Sequence, residues 1–98
     1  MKYFLHPQAQ EELEQTVLFY KKQQAGLEKR FIEAIEDAIN RVCRTPLLLL
    51  YRKIQDDVRK CRLLHFPYAI IFRTRPAQIE IIAVMHIRKQ PNYWQSRK

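Results

Sequence analysis

The stretch Ile79-Glu80-Ile81-Ile82-Ala83-Val84-Met85-His86-Ile87-Arg88 constrains the fold more than any other part of the chain. It is rich in β-branched and apolar residues, has no helical stripe, and lies between Pro76 and Pro91, which predicts a strand buried on both faces and central to a sheet. Strict alternation would put Ile79, Ile81, Ala83, Met85 and Ile87 on one face and Glu80, Ile82, Val84, His86 and Arg88 on the other. The second face would begin as core and end in an imidazole and a guanidinium, just before Tyr93 and Trp94.

The rest of the chain supplies what such a strand needs around it. Lys2 to His6 reads as a short first strand, and Pro7 suits the first position of a helix, where its missing N–H has no partner to lose. Ala9, Leu13, Thr16, Val17 and Tyr20 recur at helical spacing up to Gln23, with Glu11, Glu12, Glu14, Lys21 and Lys22 elsewhere. Gly26, the only glycine, marks a left-handed helix end. A second stripe of Leu27, Phe31, Ala34, Ile35, Ala38, Ile39 and Val42 follows and stops at Thr45-Pro46. So short a turn predicts an antiparallel helical hairpin.

The run Leu47 to Tyr51 reads as a loop or single helical turn plugging one end of the core. Val58 to Leu64 reads as a strand with Lys60 and Arg62 on a wet, basic face, and Phe66-Pro67 as a bend. Tyr68 to Thr74 is a further strand, followed by a turn at 75–78 and then the central strand. Gln95 to Lys98 reads as a frayed polar tail. The expected fold class is α+β, in the order β-α-α-β-β-β. A helical hairpin would cover one face of a small antiparallel sheet, in a single domain spanning residues 1–98.

A chain of this length can bury roughly two thirds of its extended surface, so no staple is required. Cys43 and Cys61 have neither CxxC nor Cys/His ligand spacing and read as plain reduced thiols. The opening is too short and too soon polar for a signal peptide, and no apolar run approaches spanning length; a cytoplasmic protein without a membrane partner is expected.

The net charge of +8 becomes informative once it is located. Residues 1–44 are neutral, whereas from Thr45 onward eleven Lys/Arg face only Asp56, Asp57 and Glu80. A half of one sign points to a polyanionic partner, whether nucleic acid or an acidic protein segment.

One glycine excludes a phosphate-cradling loop. Ser96, the only serine, has no base beside it. His6, His65 and His86 match no metal-ligand spacing, so neither metal nor cofactor is expected. What remains is basic and aromatic. Metal-free RNA cleavage needs a proton acceptor, cations around the phosphate and an acid for the leaving oxygen. His86, with an unperturbed pKa of about 6.5, suits acid or base work. Arg62, Arg73 and Arg88 suit the phosphate, and Tyr93 suits stacking or proton transfer. In a simple meander Arg73 would meet His86 and Arg88 or Arg62 across the ladder, gathering cations opposite the helices. Arg52, Lys53, Arg59, Lys60, Arg75 and Trp94 are candidate binding residues. Against this stand blander readings: His86 as a satisfied strand-end histidine, the arginines as solvated charges, and Trp94 as a plug for the uncovered sheet face.

The chain also resembles the RelE/ParE toxins of bacterial type II toxin–antitoxin, or plasmid-stabilisation, systems. The resemblance runs from Tyr3-Phe4-Leu5-His6-Pro7, Ala9 and Glu12-Leu13 through Tyr20, Gly26-Leu27, Arg30-Phe31 and Pro46. It continues through Val58-Arg59-Lys60-Cys61, Phe66-Pro67-Tyr68 and Ile71-Phe72-Arg73 to Ile82 through Arg88, Pro91, Tyr93 and Trp94. It implies a growth-arresting protein paired with a cognate antitoxin, whose acidic or amphipathic segment would match the basic half. RelE-like members cut mRNA at the ribosome with basic residues and a C-terminal tyrosine or histidine; His86, Arg62, Arg73, Arg88 and Tyr93 could serve such an mRNA interferase. ParE-like members poison DNA gyrase instead. The neutral hairpin, and a lysine-rich loop reduced to Arg52-Lys53, favour the ParE side. A basic domain that only binds nucleic acid is the third reading.

Overall fold

A computed structural model describes residues 2–44, 51–55, 57–90 and 92–98. Strand β1 (Lys2–Leu5) leads into helix α1 (Pro7–Gln23), and α2 (Leu27–Arg44) follows. Strands β2 (Arg52–Gln55), β3 (Val58–Arg62), β4 (Tyr68–Arg75) and β5 (Gln78–His86) come next, and a short 3-10 helix (Gln95–Arg97) closes the chain. The sheet order is β1-β5-β4-β3-β2. The α+β class and the hairpin-on-sheet layout agree with the sequence reading, with two differences. The sheet is mixed, because β1 pairs parallel to β5, and Arg52–Gln55 forms an additional edge strand. Strand β5 is interior and buried along nearly its whole length, but β4 rather than β5 stands at the centre.

Local chemistry sets the element ends. The His6 ring caps α1 by accepting the Gln8 N–H at 3.1 Å, with Pro7 as the first helical residue. Gly26 takes φ 91° in the turn between the helices, a conformation that costs a glycine little. Helix α2 buries Phe31, Ile35, Ala38, Ile39 and Val42, the stripe read from its spacing. The expected plug at Leu47–Leu50 lies outside the described residues, but Tyr51 packs edge-on to Phe72, with ring centroids 5.6 Å apart.

Two cores result, one on each side of the sheet. Beneath the hairpin, Phe31, Ile35, Ile39 and Val42 meet Cys61, Ile70, Phe72, Ile79, Ile81 and Val84. Tyr20, Phe31, Phe66 and Tyr68 cluster there with centroids 5.1–5.4 Å apart in most pairings. The face away from the helices is closed by Trp94, 1% exposed, over Val58, Ile71, Ile82, Ala83 and Met85. The plug expected from the sequence is therefore present.

Strand β5 does not alternate strictly. Ile71 pairs with Ala83 and Phe72 with Ile81, so Ile82 is an extra residue, a β-bulge. Ile79 and Ile81 face the helices, Ile82 and Ala83 both belong to the opposite core, and Val84 returns to the helix side. The extra residue shifts the phase of everything that follows it.

Candidate functional site

The bulge decides where the candidate residues lie. His86 pairs with Tyr68, and their rings meet edge-on at 5.0 Å on the helix side of the sheet. Arg73 pairs with Glu80 on the opposite face, alongside Ile71. The expected meeting of His86 with Arg73 and Arg62 does not occur, because one inserted residue puts the imidazole on the other side. Nor does Arg88 share a strand face with His86, since β5 ends at His86 and Arg88 lies in the turn beyond. Its backbone N–H donates to His86 Nδ1 at 3.0 Å, which leaves the proton of a neutral imidazole on Nε2.

On the open face the cations have separate fates. Arg73 Nε donates to Glu80 Oε1 at 2.6 Å, and Arg75 Nε reaches the same oxygen at 3.3 Å. Glu80 is buried, so Arg73 serves first as the ion-pair and hydrogen-bond partner of that carboxylate. Arg62 is exposed and pairs with Ala69. Arg52 and Lys60 stand opposite each other there, while Lys53 and Arg59 pair on the helix side, in phase with Cys61, and Arg59 Nη1 donates to the Tyr51 carbonyl at 3.0 Å. Trp94 is core.

At the end of β5, a cleft of about 310 Å³ is lined by Glu12, Gln15, Thr16, Phe19, Tyr68, Val84, His86, Lys89 and Tyr93. Its anchor is Glu12, on the face of α1 turned toward β5. Strand β1 stops pairing at Leu5, and the bulge interrupts pairing with β4. Backbone groups near the bulge therefore need other partners. Glu12 Oε1 accepts the Val84 N–H at 3.0 Å, while Arg97 Nη1 donates to the Ile82 carbonyl at 3.1 Å. Arg97 also grips both Glu12 oxygens, at 2.8 and 3.1 Å, and Tyr93 Oη donates to Glu12 Oε2 at 2.7 Å.

The ionisation chemistry follows from this packing. Burial pushes the Tyr93 phenol well above its ordinary value, and the bond to Glu12 and that group's charge raise it further; Arg97 offsets this only in part. Tyr93 is thereby held as a neutral donor. For Arg97 burial acts downward, but the Glu12 carboxylate outweighs it and keeps the guanidinium charged. Lys89 Nζ lies 4.2 Å from the centre of the Tyr93 ring. Among the described residues, no group of three or more His, Cys, Asp or Glu could hold a metal ion.

The expected frayed tail is thus an ordered strap. Sequence reading missed Glu12 and Arg97 as its clasp, and also missed Glu80 as the partner of Arg73. An acidic residue within a buried strand was the one available signal, and it applied to Glu80 alone.

A family model described as the ParE toxin of the type II toxin–antitoxin system, parDE, matches residues 3–91. The strap at 92–98 lies beyond that match. A solved structure of the chromosomal ParDE toxin–antitoxin system from P. aeruginosa is similar, with a TM-score of 0.62 and 17% identity, covering 88% of this chain and 95% of that one. At that identity the likeness is one of fold. No curated protein matches significantly. With a family model covering nearly the whole chain and a hairpin-on-sheet fold that a ParDE structure shares, the chain belongs to the ParE toxin family of type II toxin–antitoxin systems.

Proposed function

We propose that this chain acts as one toxin domain that arrests growth by inhibiting DNA gyrase, does no RNA chemistry of its own, and is neutralised in the cytoplasm by a cognate antitoxin. The carrying observation is the bulge at Ile82, which parts His86 from Arg62 and Arg73. Metal-free RNA cleavage needs a base, an acid and cations converging on one phosphate. Two further features support the reading: Arg73 is matched by Glu80, and Tyr93 is pinned as a neutral donor to Glu12. An antitoxin with an acidic segment would complement the charge of the second half. No helix among the described residues is long and apolar enough to cross a membrane.

The cleft gives the second reading its one foothold, since it gathers His86, Lys89 and Tyr93. A RelE-like interferase would have to work there, without Arg73. Brief induction of the chain in cells separates the two, with 5′-end mapping of abundant messages beside plasmid supercoiling. Intact messages with relaxed or broken plasmid DNA are expected, and Arg62→Ala and His86→Ala should keep the growth arrest. New in-frame cuts within translated regions, abolished by His86→Ala, would overturn the proposal in favour of the interferase.

A further inference from the structure

The β2–β3 hairpin sets like charges opposite each other twice in succession, Arg52 against Lys60 and Lys53 against Arg59. Such pairs destabilise a ladder. Among the described residues no carboxylate forms an ion pair with any of the four. Among the described residues β2 is also the outermost strand, with β3 as its neighbour on one side, so a row of its backbone N–H and C=O groups lies outside the described ladder. A cleft of about 200 Å³ floored by Met85 and Trp94 is lined by Arg52, Ile54 and Lys60 on the open face, with Lys53 at its edge. Lys on an edge strand is a common guard against unwanted pairing. A guard needs neither two facing like-charge pairs nor an apolar-floored cleft beside them.

We propose that the outer edge of β2 accepts an extended acidic peptide as a sixth strand. A carboxylate of that peptide would lie by Arg52 and Lys60. Its next residue on the same face, two positions along, would be apolar and seat against Ile54 over Met85 and Trp94. A nucleic acid would answer the cations, but it has no amide row to pair with an edge, so the edge selects a peptide. The inference rests on the reading of the chain as a toxin held by an acidic antitoxin segment, and it assigns that segment a place and a residue pattern.

The test uses the full chain and a fluorescein-labelled decapeptide of repeating Glu-Glu-Val-Val, which sets a carboxylate and an apolar side chain two positions apart on each face, read by fluorescence anisotropy. Arg52→Glu with Lys60→Glu should weaken binding by about tenfold or more, and so should raising salt from about 50 to 300 mM. The milder pair Arg52→Gln with Lys60→Gln should fall between, which covers any damage that charge reversal does to the hairpin. Decapeptides of repeating Lys-Lys-Val-Val, or of repeating Glu-Glu-Pro-Pro, should bind about tenfold more weakly or worse, the second because proline cannot donate to a ladder. Unchanged affinity on charge reversal, or equal binding of the Glu-Glu-Pro-Pro peptide, would overturn the strand assignment. Equal competition by decathymidylate would make the surface a polyanion patch and also overturn it. A chain that relaxes plasmid DNA yet ignores the peptide refutes only the docking inference. One that binds the peptide yet leaves growth and plasmids untouched refutes only the toxin reading.

Discussion

Replacing Glu12 by Gln tests whether the strap is an integral part of the fold or a loosely attached tail. The carboxylate accepts the Val84 N–H, the Tyr93 hydroxyl and two Arg97 N–H groups, all within 3.1 Å. Its side chain is 18% exposed and that of Arg97 is 8% exposed, so solvent can replace little of what is lost. Breaking a buried pair by removing one partner costs about 3–5 kcal/mol. Gln keeps one acceptor oxygen and Glu12 is not wholly dry, so the lower end applies, about 3 kcal/mol. For a domain of this size that lowers Tm by about 12–24 °C, at about 4–8 °C per kcal/mol. Urea unfolding and thermal melts followed by circular dichroism would measure it. Arg97→Met alone strands the Glu12 charge and should cost a similar amount, whereas the double variant should cost much less than the sum, with a coupling of about 2 kcal/mol. A fall in Tm of under about 3 °C for Glu12→Gln, or additive single effects, would refute the clasp.

Glu80→Ala should destabilise by about 3 kcal/mol because it strands the largely buried Arg73, and adding Arg73→Ala should recover part of that loss in urea unfolding. Trp94→Ala should cost about 3–5 kcal/mol; since Trp94 is the only tryptophan, native emission should be blue-shifted and poorly quenched by acrylamide, and water-like emission would count against the plug. Tyr93, raised above its ordinary 10.0, stays protonated in the folded state after the unfolded chain has begun to ionise. The native state then holds more protons than the unfolded one, so stability is fully present below pH 10 and falls as pH rises beyond it; Tyr93→Phe should flatten that alkaline slope. Cys61, raised from 9.0 chiefly by burial, should react with a thiol reagent only at the rate of opening, and prompt labelling in the native state would contradict its placement.

The second half of the chain shows where reading by period succeeds and where it stops. Alternation in β3 placed Cys61 inside and Arg62 outside because the β3–β4 ladder runs through both without a register shift. Alternation in β5 failed from Ile82 onward. No residue type announces a bulge in a run of Ile, Ala and Val, all of which fit either face. The additional strand β2 was missed for a related reason: Arg52-Lys53-Ile54-Gln55 has almost no apolar pattern, and it is a strand because β3 offers it an edge. Tail residues that look frayed in sequence are ordered by partners about eighty positions away, a distance at which spacing carries no information.

The sequence by itself determined the helical hairpin, the run of strands behind it, the buried character of β5 and the family. Each of these depends on local periodicity, caps and turn residues, or on the order of many weak signals along the chain. Only the tertiary structure decided which face His86 occupies, which carboxylate neutralises Arg73, and that Glu12 and Arg97 bind the C-terminal strap to the bulge. Those outcomes depend on one extra residue in a ladder and on charges meeting across the fold. Period-two patterning is blind to an inserted residue, and pairing between distant segments exists only once the backbone has brought them together.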